Sequence, residues 1–137
     1  MSTKEIKALT HRFFEGVNKG KAAAMAVIDE LCADDFVLHC ARGKDIRGIK
    51  SYKQNMSELF SAVPDAHFTI NDMVVEGDKV ATRYTLTGTH KATDKKVTTW
   101  MITIDRIADG KFVEEWERYD TLGLMQQLGI IPTPEKR

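Results

Sequence analysis

The hydrophobic pattern of this 137-residue chain changes its period once, at Pro64. Before Pro64, apolar residues recur every three or four positions, which is typical of amphipathic helices. After Pro64, apolar and polar residues alternate, which is typical of strands with one buried face. Because proline interrupts a helix, the change of period marks the end of the helical half. The pattern predicts an α+β fold in a single domain, residues 1–137, with helices first and a sheet second.

Three helices are predicted before Pro64. Ser2 and Glu5 have capping-box spacing, and an apolar stripe that starts at Ile6 continues until "NKG" at 18–20. The second helix, "KAAAMAVIDEL" at 21–31, is rich in strong helix formers. Its buried stripe is expected to comprise Met25, Ile28 and Leu31. The third helix lies within "IKSYKQNMSELFSAVPD" at 49–65 and carries its apolar residues on one side.

Strands are predicted mainly after Pro64. A short strand, "FVLHC" at 36–40, precedes a loop at 41–48, and four long strands follow at 67–75, 79–90, 96–107 and 111–120. The turn sequences "EGD", "KATDK" and "ADG" join the long strands, which favours a strongly curved antiparallel sheet. The segment "LGLMQQLG" predicts a closing helix that ends at Gly129, and we expect residues 130–137 to be a flexible tail.

The charge balance excludes several classes of function. Acidic and basic residues number 20 each, so the chain lacks the basic surface that binds nucleic acid or an anionic membrane. No apolar run approaches membrane-spanning length, and the N-terminus is charged where a secretory signal would be apolar. We therefore expect a cytoplasmic protein.

Neither the cysteines nor the histidines form a recognisable metal motif. Cys32 and Cys40 lack CxxC spacing, and we expect two free buried thiols, although one disulfide between them is conceivable. The histidines lack the spacing of a metal-binding pair, so no metal is predicted. His11, His67 and His90 are predicted to lie at the surface. Nucleotide-binding and serine-hydrolase motifs are absent from the sequence.

The strand at 96–107 is apolar on both of its faces. Trp100, Ile102 and Ile104 share one face, whereas Met101 and Thr103 lie on the other. Helices can cover only one face of a small sheet, and large exposed apolar patches mark interfaces. The pattern predicts a homodimer joined through the outer sheet face.

The stretch "VEEWERYDTLGLMQQLG" at 113–129 combines a strand pattern with an unusual density of charge. Residues 113, 115, 117 and 119 would share one face, which places Glu115 and Glu117 about 7 Å apart along the strand. Inside a cavity, burial and mutual repulsion would raise the pKa of both carboxyl groups, as a general base requires. The alternative is that both glutamates are half-solvated and paired with lysine or arginine.

Four stretches together resemble a known family: "FVLH" at 36–39, "RGIKSYKQNMSELFSAVPD" at 47–65, "VEGDKVATRYTLTGTH" at 75–90 and "DRIADGKFVEEWERYDTLGLMQQLG" at 105–129. They resemble the SnoaL-like polyketide cyclases, within the nuclear transport factor two-like superfamily. The resemblance implies a cone-shaped fold in which three N-terminal helices pack on a curved, mainly antiparallel sheet around a deep pocket. It also implies a reaction without metal or organic cofactor, in which a carboxylate removes a proton beside a carbonyl and the enolate closes a ring.

The resemblance also implies site residues. Glu117 matches the catalytic aspartate of the family, and His39 matches the histidine of its "FV-x-H" pattern. Thr103 stands where the cyclases carry a catalytic histidine, and threonine cannot act as an acid or base near neutral pH. The candidate catalytic residues are Glu117, His39 and Glu115. The candidate substrate-binding residues are Tyr119, Thr103, Met101, Tyr84, Phe13, Met56 and Phe60.

Three functions fit these residues. The first is a cofactor-independent cyclase, isomerase or hydrolase that acts on a small apolar carbonyl compound through Glu117. The second is a non-catalytic small-molecule-binding or dimeric interaction module, which Thr103 favours. The third is epoxide hydrolysis, which would need Asp72, Arg83 and Asp105 to converge on a water molecule.

Overall fold

The computed structural model describes residues 1–134, which form four helices and six strands, one strand more than the sequence predicts. The helices are α1 (Thr3–Val17), α2 (Lys21–Leu31), α3 (Ile49–Ala62) and α4 (Thr121–Gln127). The strands are β1 (Cys32–His39), β2 (Asp45–Arg47), β3 (His67–Glu76), β4 (Lys79–His90), β5 (Lys95–Ala108) and β6 (Lys111–Tyr119). The α+β class is therefore confirmed.

The six strands form one sheet in the order β2-β1-β6-β5-β4-β3. Strands β1 and β6 are parallel, and every other neighbouring pair is antiparallel. The mainly antiparallel sheet is thus confirmed, and β6 lies near its middle, between β1 and β5. A central strand has hydrogen-bonding partners on both edges, which fixes the direction of its side chains.

The start of α1 is fixed by the predicted capping box. The Glu5 backbone N–H donates to Ser2 Oγ at 3.1 Å, and the Ser2 backbone N–H donates to Glu5 Oε1 at 2.9 Å. These two bonds satisfy donors that the first helical turn leaves free.

The buried face of α2 differs in part from the prediction. Met25 is only half-buried, and the buried residues are Ala24, Val27, Ile28 and Leu31. Val27 packs against Gly16 of α1 so closely that a Cβ atom on Gly16 would lie 2.8 Å from the Val27 Cβ. The close crossing of the two helices therefore buries the small face of α2.

The turn between β5 and β6 explains how two long strands reverse within two residues. Asp109 has a φ of 51° and Gly110 a φ of 75°. Positive φ at both central positions is the requirement of a type I′ hairpin turn, and Asp-Gly meets it readily. This turn sets the register between β5 and β6.

A β-bulge in β6 corrects the predicted alternation. Arg106 is opposite Glu114 and Ile107 is opposite Phe112, so Val113 is an extra residue without a partner. Phe112 and Glu115 therefore face the same side, and the prediction that residue 113 shares the face of 115, 117 and 119 is wrong. The alternation holds from Glu115 onward.

Two further boundaries differ from the sequence prediction. Strand β1 begins at Cys32 rather than at residue 36, and the predicted loop at 41–48 contains β2. With three residues, β2 is too short to show an alternating pattern. Of the predicted tail, residues 130–134 form neither helix nor strand, and residues 135–137 lie outside the described part of the chain.

The two faces of β5 have different environments, as predicted. Met101, Thr103 and Asp105 are buried on the inner face. Trp100, Ile102 and Ile104 are 54%, 40% and 41% exposed on the outer face. None of the helices within residues 1–134 combines the length and the apolar character needed to cross a lipid bilayer.

Candidate functional site

A cavity of about 490 Å³ lies between the inner face of the sheet and helices α1, α3 and α4. Much of its wall is apolar, with aromatic residues from α1 and methionines from α3 and β5. The predicted substrate-binding residues that line it are Phe13, Met56, Tyr84, Met101, Thr103 and Tyr119. Phe60 does not, because its side chain is buried in the core instead, so that prediction is wrong in position.

Three carboxyl groups meet in this cavity: Asp105 from β5, and Glu115 and Glu117 from β6. The hairpin register places Asp105 opposite Glu115 and Thr103 opposite Glu117. Asp105 is 6% exposed. The two glutamates are half-buried, because the cavity itself leaves room for water beside them.

Glu117 faces the loop that follows β1. The backbone N–H of Ala41 lies 3.4 Å from Glu117 Oε2, and the Cys40 thiol is close enough to donate to the same carboxylate. Burial raises the pKa of Glu117 above its ordinary value, and these two donors offset part of the rise. Glu117 therefore has the raised proton affinity that a general base uses near neutral pH.

No lysine or arginine forms an ion pair with Glu115 or Glu117 among the described residues. The alternative reading of half-solvated, paired charges does not describe these two side chains. Glu114, between them and the bulge, is the glutamate that fits it: its carboxylate accepts from Arg106 Nε at 3.2 Å on the outer face.

Asp105 and Glu115 lie within hydrogen-bonding reach of each other. Burial raises the pKa of Asp105 to about 6, although hydrogen bonds from Glu115 and Thr103 oppose the rise. Burial and the negative charge of Asp105 raise the pKa of Glu115 well above its ordinary value. Thr103 Oγ1 donates to Asp105 Oδ2 at 3.3 Å.

Asp105 was not predicted as a residue of the carboxylate site. The signal was present in the sequence, because β5 alternates and residues 101, 103 and 105 must share a face. The hairpin turn then brings Asp105 opposite Glu115. The sequence does not give the register between β5 and β6, which the bulge at Val113 shifts by one residue.

His39 lies on the opposite face of the sheet from the cavity. Its neighbour Leu38 faces the cavity. The imidazole ring of His39 stacks on the indole ring of Trp116, with ring centroids 5.3 Å apart. Its Nε2 is 2.7 Å from Glu114 Oε2, and its Nδ1 is 2.9 Å from Asp45 Oδ1. These hydrogen bonds raise the pKa of His39. The prediction that His39 contacts a ligand in the cavity is wrong in position, because the alternation of β1 turns it outward.

Two polar side chains of β4 and β5 line the cavity without having been predicted to do so. His90, predicted at the surface, lines it, and His90 Nδ1 lies 2.9 Å from Thr93 Oγ1. Thr99 is 3% exposed, and its Oγ1 has no hydrogen-bond partner within residues 1–134. Both follow the inward alternation of their strands, which the sequence would have shown once the register was known.

The residues proposed for epoxide hydrolysis do not converge. Asp72 and Arg83 are cross-strand partners, and both are exposed. Asp105 lies inside the cavity. The sheet therefore separates the aspartate from the other two residues.

Both cysteines are free, and both line the cavity. Cys32 is buried, as predicted, whereas Cys40 is only half-buried. Burial raises the pKa of both thiols, which keeps them protonated at neutral pH. Across residues 1–134, no group of three or more His, Cys, Asp or Glu side chains is arranged to hold a metal ion.

Comparison with solved structures finds the same fold over nearly the whole chain. TsrD from Streptomyces laurentii has a TM-score of 0.83 and 27% identity, with 96% of this chain and 99% of that chain covered. A proposed polyketide cyclase from Bacillus cereus ATCC 10987 has a TM-score of 0.80 and 32% identity, with 96% and 87% covered. An LEH-like epoxide hydrolase from M. tuberculosis, at 17% identity and a TM-score of 0.76 with 93% and 92% covered, shows the fold alone.

Comparison at the level of sequence gives two results. The search of curated proteins found no significant match. The family model described as SnoaL-like polyketide cyclase matches residues 8–128, which include every strand and the three carboxylates of the cavity. The chain belongs to the SnoaL-like polyketide cyclase family.

Proposed function

We propose that the protein is a cofactor-independent enzyme that removes a proton beside the carbonyl group of a small, mostly apolar compound. The observation that carries the proposal is Glu117, a carboxylate without an ion-pair partner within residues 1–134, whose pKa is raised by burial inside a mainly apolar cavity. A base of this kind must be ionised at working pH and still hold a proton once it has taken one. The raised pKa of Glu117 supports the second condition.

The proposed reaction begins with transfer of the α-proton to the Glu117 carboxylate. The electron pair of the broken C–H bond forms a C=C bond, and the carbonyl oxygen takes the negative charge. The resulting enolate can isomerise by returning the proton to another carbon, or close a ring by attacking a second carbonyl of the same molecule. Proton transfer of this kind requires neither a metal nor an organic cofactor.

The cavity favours a neutral substrate. Its volume of about 490 Å³ falls within the range of small-molecule sites, roughly 300–1,000 Å³. Phe13, Phe14 and Met101 supply apolar contact along the wall. An anionic ligand would meet the carboxyl groups of Asp105, Glu115 and Glu117, and like charges repel strongly in a buried site.

Deuterium incorporation into 2-tetralone tests the proposal without knowledge of the natural substrate. This compact bicyclic ketone has acidic hydrogens beside its carbonyl, and their exchange in D₂O is followed by ¹H NMR after subtraction of the protein-free rate. We expect wild-type protein to accelerate exchange and Glu117→Gln to lower the rate by about 1,000-fold, in line with the loss of a general base. Binding of 2-tetralone should change little, because the amide keeps the shape of the side chain.

Glu114→Gln is the matched control, since Glu114 lies on the outer face of the same strand and bonds to His39. Its exchange rate should equal that of the wild type. Equal rates for Glu117→Gln and the wild type would remove Glu117 from the mechanism.

The alternative is a non-catalytic pocket protein that binds a small molecule. Thr103 favours it, because it supplies no acid or base where the cyclases have a histidine. A binder would retain 2-tetralone in the cavity, as measured by calorimetry, without accelerating its exchange. Catalysis predicts both binding and exchange.

We further propose that two copies associate through the outer sheet face. Val74, Ala81, Ile104 and Trp116 are consecutive cross-strand partners, so they form one row across four strands. Val74 is 63% exposed and Ile104 is 41% exposed. Burial of such a row is favourable.

We also propose that the protein is cytoplasmic, since a reducing compartment maintains free thiols such as Cys32 and Cys40.

A further inference from the structure

We infer that Asp105 and Glu115 share one proton at neutral pH and act together as the acid that donates to the substrate's carbonyl oxygen while Glu117 removes the α-proton. This inference rests on the proposed function, because it assigns a second role within the same cavity. The cavity would then contain two separate catalytic groups: Glu117 as the base, and the Asp105–Glu115 pair as the acid.

The shared proton follows from the geometry of the hairpin. Asp105 and Glu115 are direct cross-strand partners, and their carboxyl groups are within hydrogen-bonding reach. Two ionised carboxylates have no donor between them and repel each other, so the contact requires one proton. An O–H···O⁻ bond between an acid and its partner carboxylate is short and strong.

The groups that surround the pair leave its negative charge without a balancing cation. Arg42, the arginine in the cavity wall, is within hydrogen-bonding reach of Tyr119 rather than of the pair. Strands β1, β4 and β6, helix α3 and the loop after β1 contribute the titratable groups that face the pair. These groups are Cys32, Cys40, Tyr52, Tyr84 and Glu117. Thiols and phenols are neutral near pH 7, so protonation is the remaining way to lower the charge of the pair.

An independent observation indicates that the cavity accepts a ligand with polar atoms. Thr99 Oγ1 is buried, lines the cavity and has no hydrogen-bond partner in the described chain. A buried hydroxyl without a partner costs about 1–3 kcal/mol, which a polar atom of a ligand would recover. Thr99 lies four residues from Thr103 along β5, or roughly 13 Å. A bound molecule would therefore have one oxygen near the carboxyl groups and a second polar atom at the far end.

The proposed step balances without a further reactant. Glu117 accepts the α-proton, the C–H electron pair becomes the new C=C bond, and the former carbonyl π pair moves to oxygen. That oxygen accepts the proton shared by Asp105 and Glu115, which gives a neutral enol and leaves the charge of the site unchanged. When the enol carbon forms its next bond, the O–H proton returns to the pair. Thr103 Oγ1, which donates to Asp105 at 3.3 Å, holds the aspartate in place.

The protonation of the pair can be measured without any substrate. Protein labelled with ¹³C at glutamate Cδ is titrated by NMR, and Glu115→Gln identifies the Glu115 signal by its loss. We expect Glu115 to be protonated at pH 7 in the wild type and in Glu114→Gln. In Asp105→Asn its midpoint should fall, because the amide carries no charge and can donate to the ionised glutamate. An ionised Glu115 at pH 7 in the wild type, or an unchanged midpoint in Asp105→Asn, would overturn the shared proton.

If the pair acts as the acid, the rate of 2-tetralone exchange should decrease at high pH. In the wild type the rate should fall where Glu115 loses its proton, and in Asp105→Asn this fall should shift to lower pH by the same amount as the NMR midpoint. Glu115→Gln should lower the rate at pH 7 by about 100-fold, as loss of an oxyanion donor does, and should show no such fall. A purely structural role would leave the position of the limb unchanged.

The possible results separate the two proposals. Exchange that depends on Glu117 but shows no shift of the high-pH limb in Asp105→Asn would overturn the acid role and leave the base role standing. Absence of exchange in the wild type would overturn both. Folding of each variant is checked by its thermal transition, and Glu114→Gln must match the wild type in both the titration and the rate.

Discussion

Glu117, Glu115 and Asp105 bring three carboxyl groups into one cavity in which no ion pair neutralises them among the described residues. Burial of a charged carboxylate is unfavourable, so the folded state binds protons at these positions more tightly than the unfolded chain does. The same arrangement that provides a base and an acid therefore lowers stability when the carboxyl groups ionise. Active sites commonly trade stability for activity in this way.

Asp105→Asn should stabilise the fold above neutral pH. The pKa of Asp105 is about 6 in the folded state against an ordinary 3.8, so its stabilising contribution is complete below pH 4 and is lost as the pH rises through 6. Asparagine does not titrate, and the variant should exceed the wild type in unfolding free energy by about 3 kcal/mol at pH 8. Urea denaturation at pH 4, 6 and 8 measures the difference, which should vanish at pH 4. A wild type as stable as Asp105→Asn at pH 8 would contradict the raised pKa.

Sequence reasoning located some of these residues and missed others for a physical reason. Strand alternation placed Glu115, Glu117 and Tyr119 on one face, since residues two apart share a face. The family resemblance implied that this face points into the pocket. It could not tell which face of β1 carries His39, because a family pattern gives a position on a strand but not the direction of the side chain. Asp105 required the cross-strand register, which depends on the turn and on the bulge at Val113.

At the scale of the elements, the crossing of α1 and α2 depends on a glycine. A Cβ atom at Gly16 would lie 2.8 to 3.0 Å from Cβ, Cγ1 and Cγ2 of Val27. The Cβ of Val27 is fixed to its helix, so the two helices would have to separate. Gly16 therefore sets the distance at which α2 packs, and through α2 the position of β1.

Gly16→Ala should destabilise the protein although alanine is the better helix former. Overpacking costs about 1–3 kcal/mol, and the gain in helix propensity offsets up to about 1 kcal/mol. Urea denaturation should show a net loss of unfolding free energy. In a Val27→Ala background, which removes both Cγ contacts, the same change should cost less, because neighbouring substitutions are not additive. An equal cost in both backgrounds would contradict a direct clash between the two side chains.

The number and type of the long elements could be predicted, whereas the irregularities could not. Capping residues, Pro64 and the hairpin turns mark the element boundaries through local chemistry. Strand β2 and the bulge at Val113 arise from pairing with distant strands. Neither has a local pattern, and the bulge decides which residues of β6 face the cavity.

For the molecule as a whole, the outer face of the sheet is the surface through which we propose that two copies associate. Val74, Ala81, Ile104 and Trp116 form one row across four strands. Trp100 and Ile102 are exposed on the same face of β5 as Ile104. Exposed apolar patches of this kind mark interfaces more often than free surface. A second copy would cover the patch by symmetry and leave both cavities on the far side of the sheet.

Light scattering at micromolar concentration should give the mass of two chains. Trp100→Lys combined with Ile104→Lys should reduce it to one chain, since two desolvated lysines at the centre of an interface oppose association. Leu122→Lys is the control, because Leu122 is 55% exposed on α4, a helix that contributes to the cavity wall on the inner side of the sheet. A wild-type mass equal to one chain would rule out the dimer.

The role of Glu117 as the base is tested most directly by the rate of 2-tetralone exchange at low pH. In the wild type, the rate should rise with pH through a midpoint above 4.5, the ordinary pKa of glutamate, because burial raises the pKa of this residue. In Glu117→Gln the rise should be absent and the rate should stay near the protein-free value. A Glu117→Gln profile that follows the wild type at every pH would contradict proton removal by Glu117.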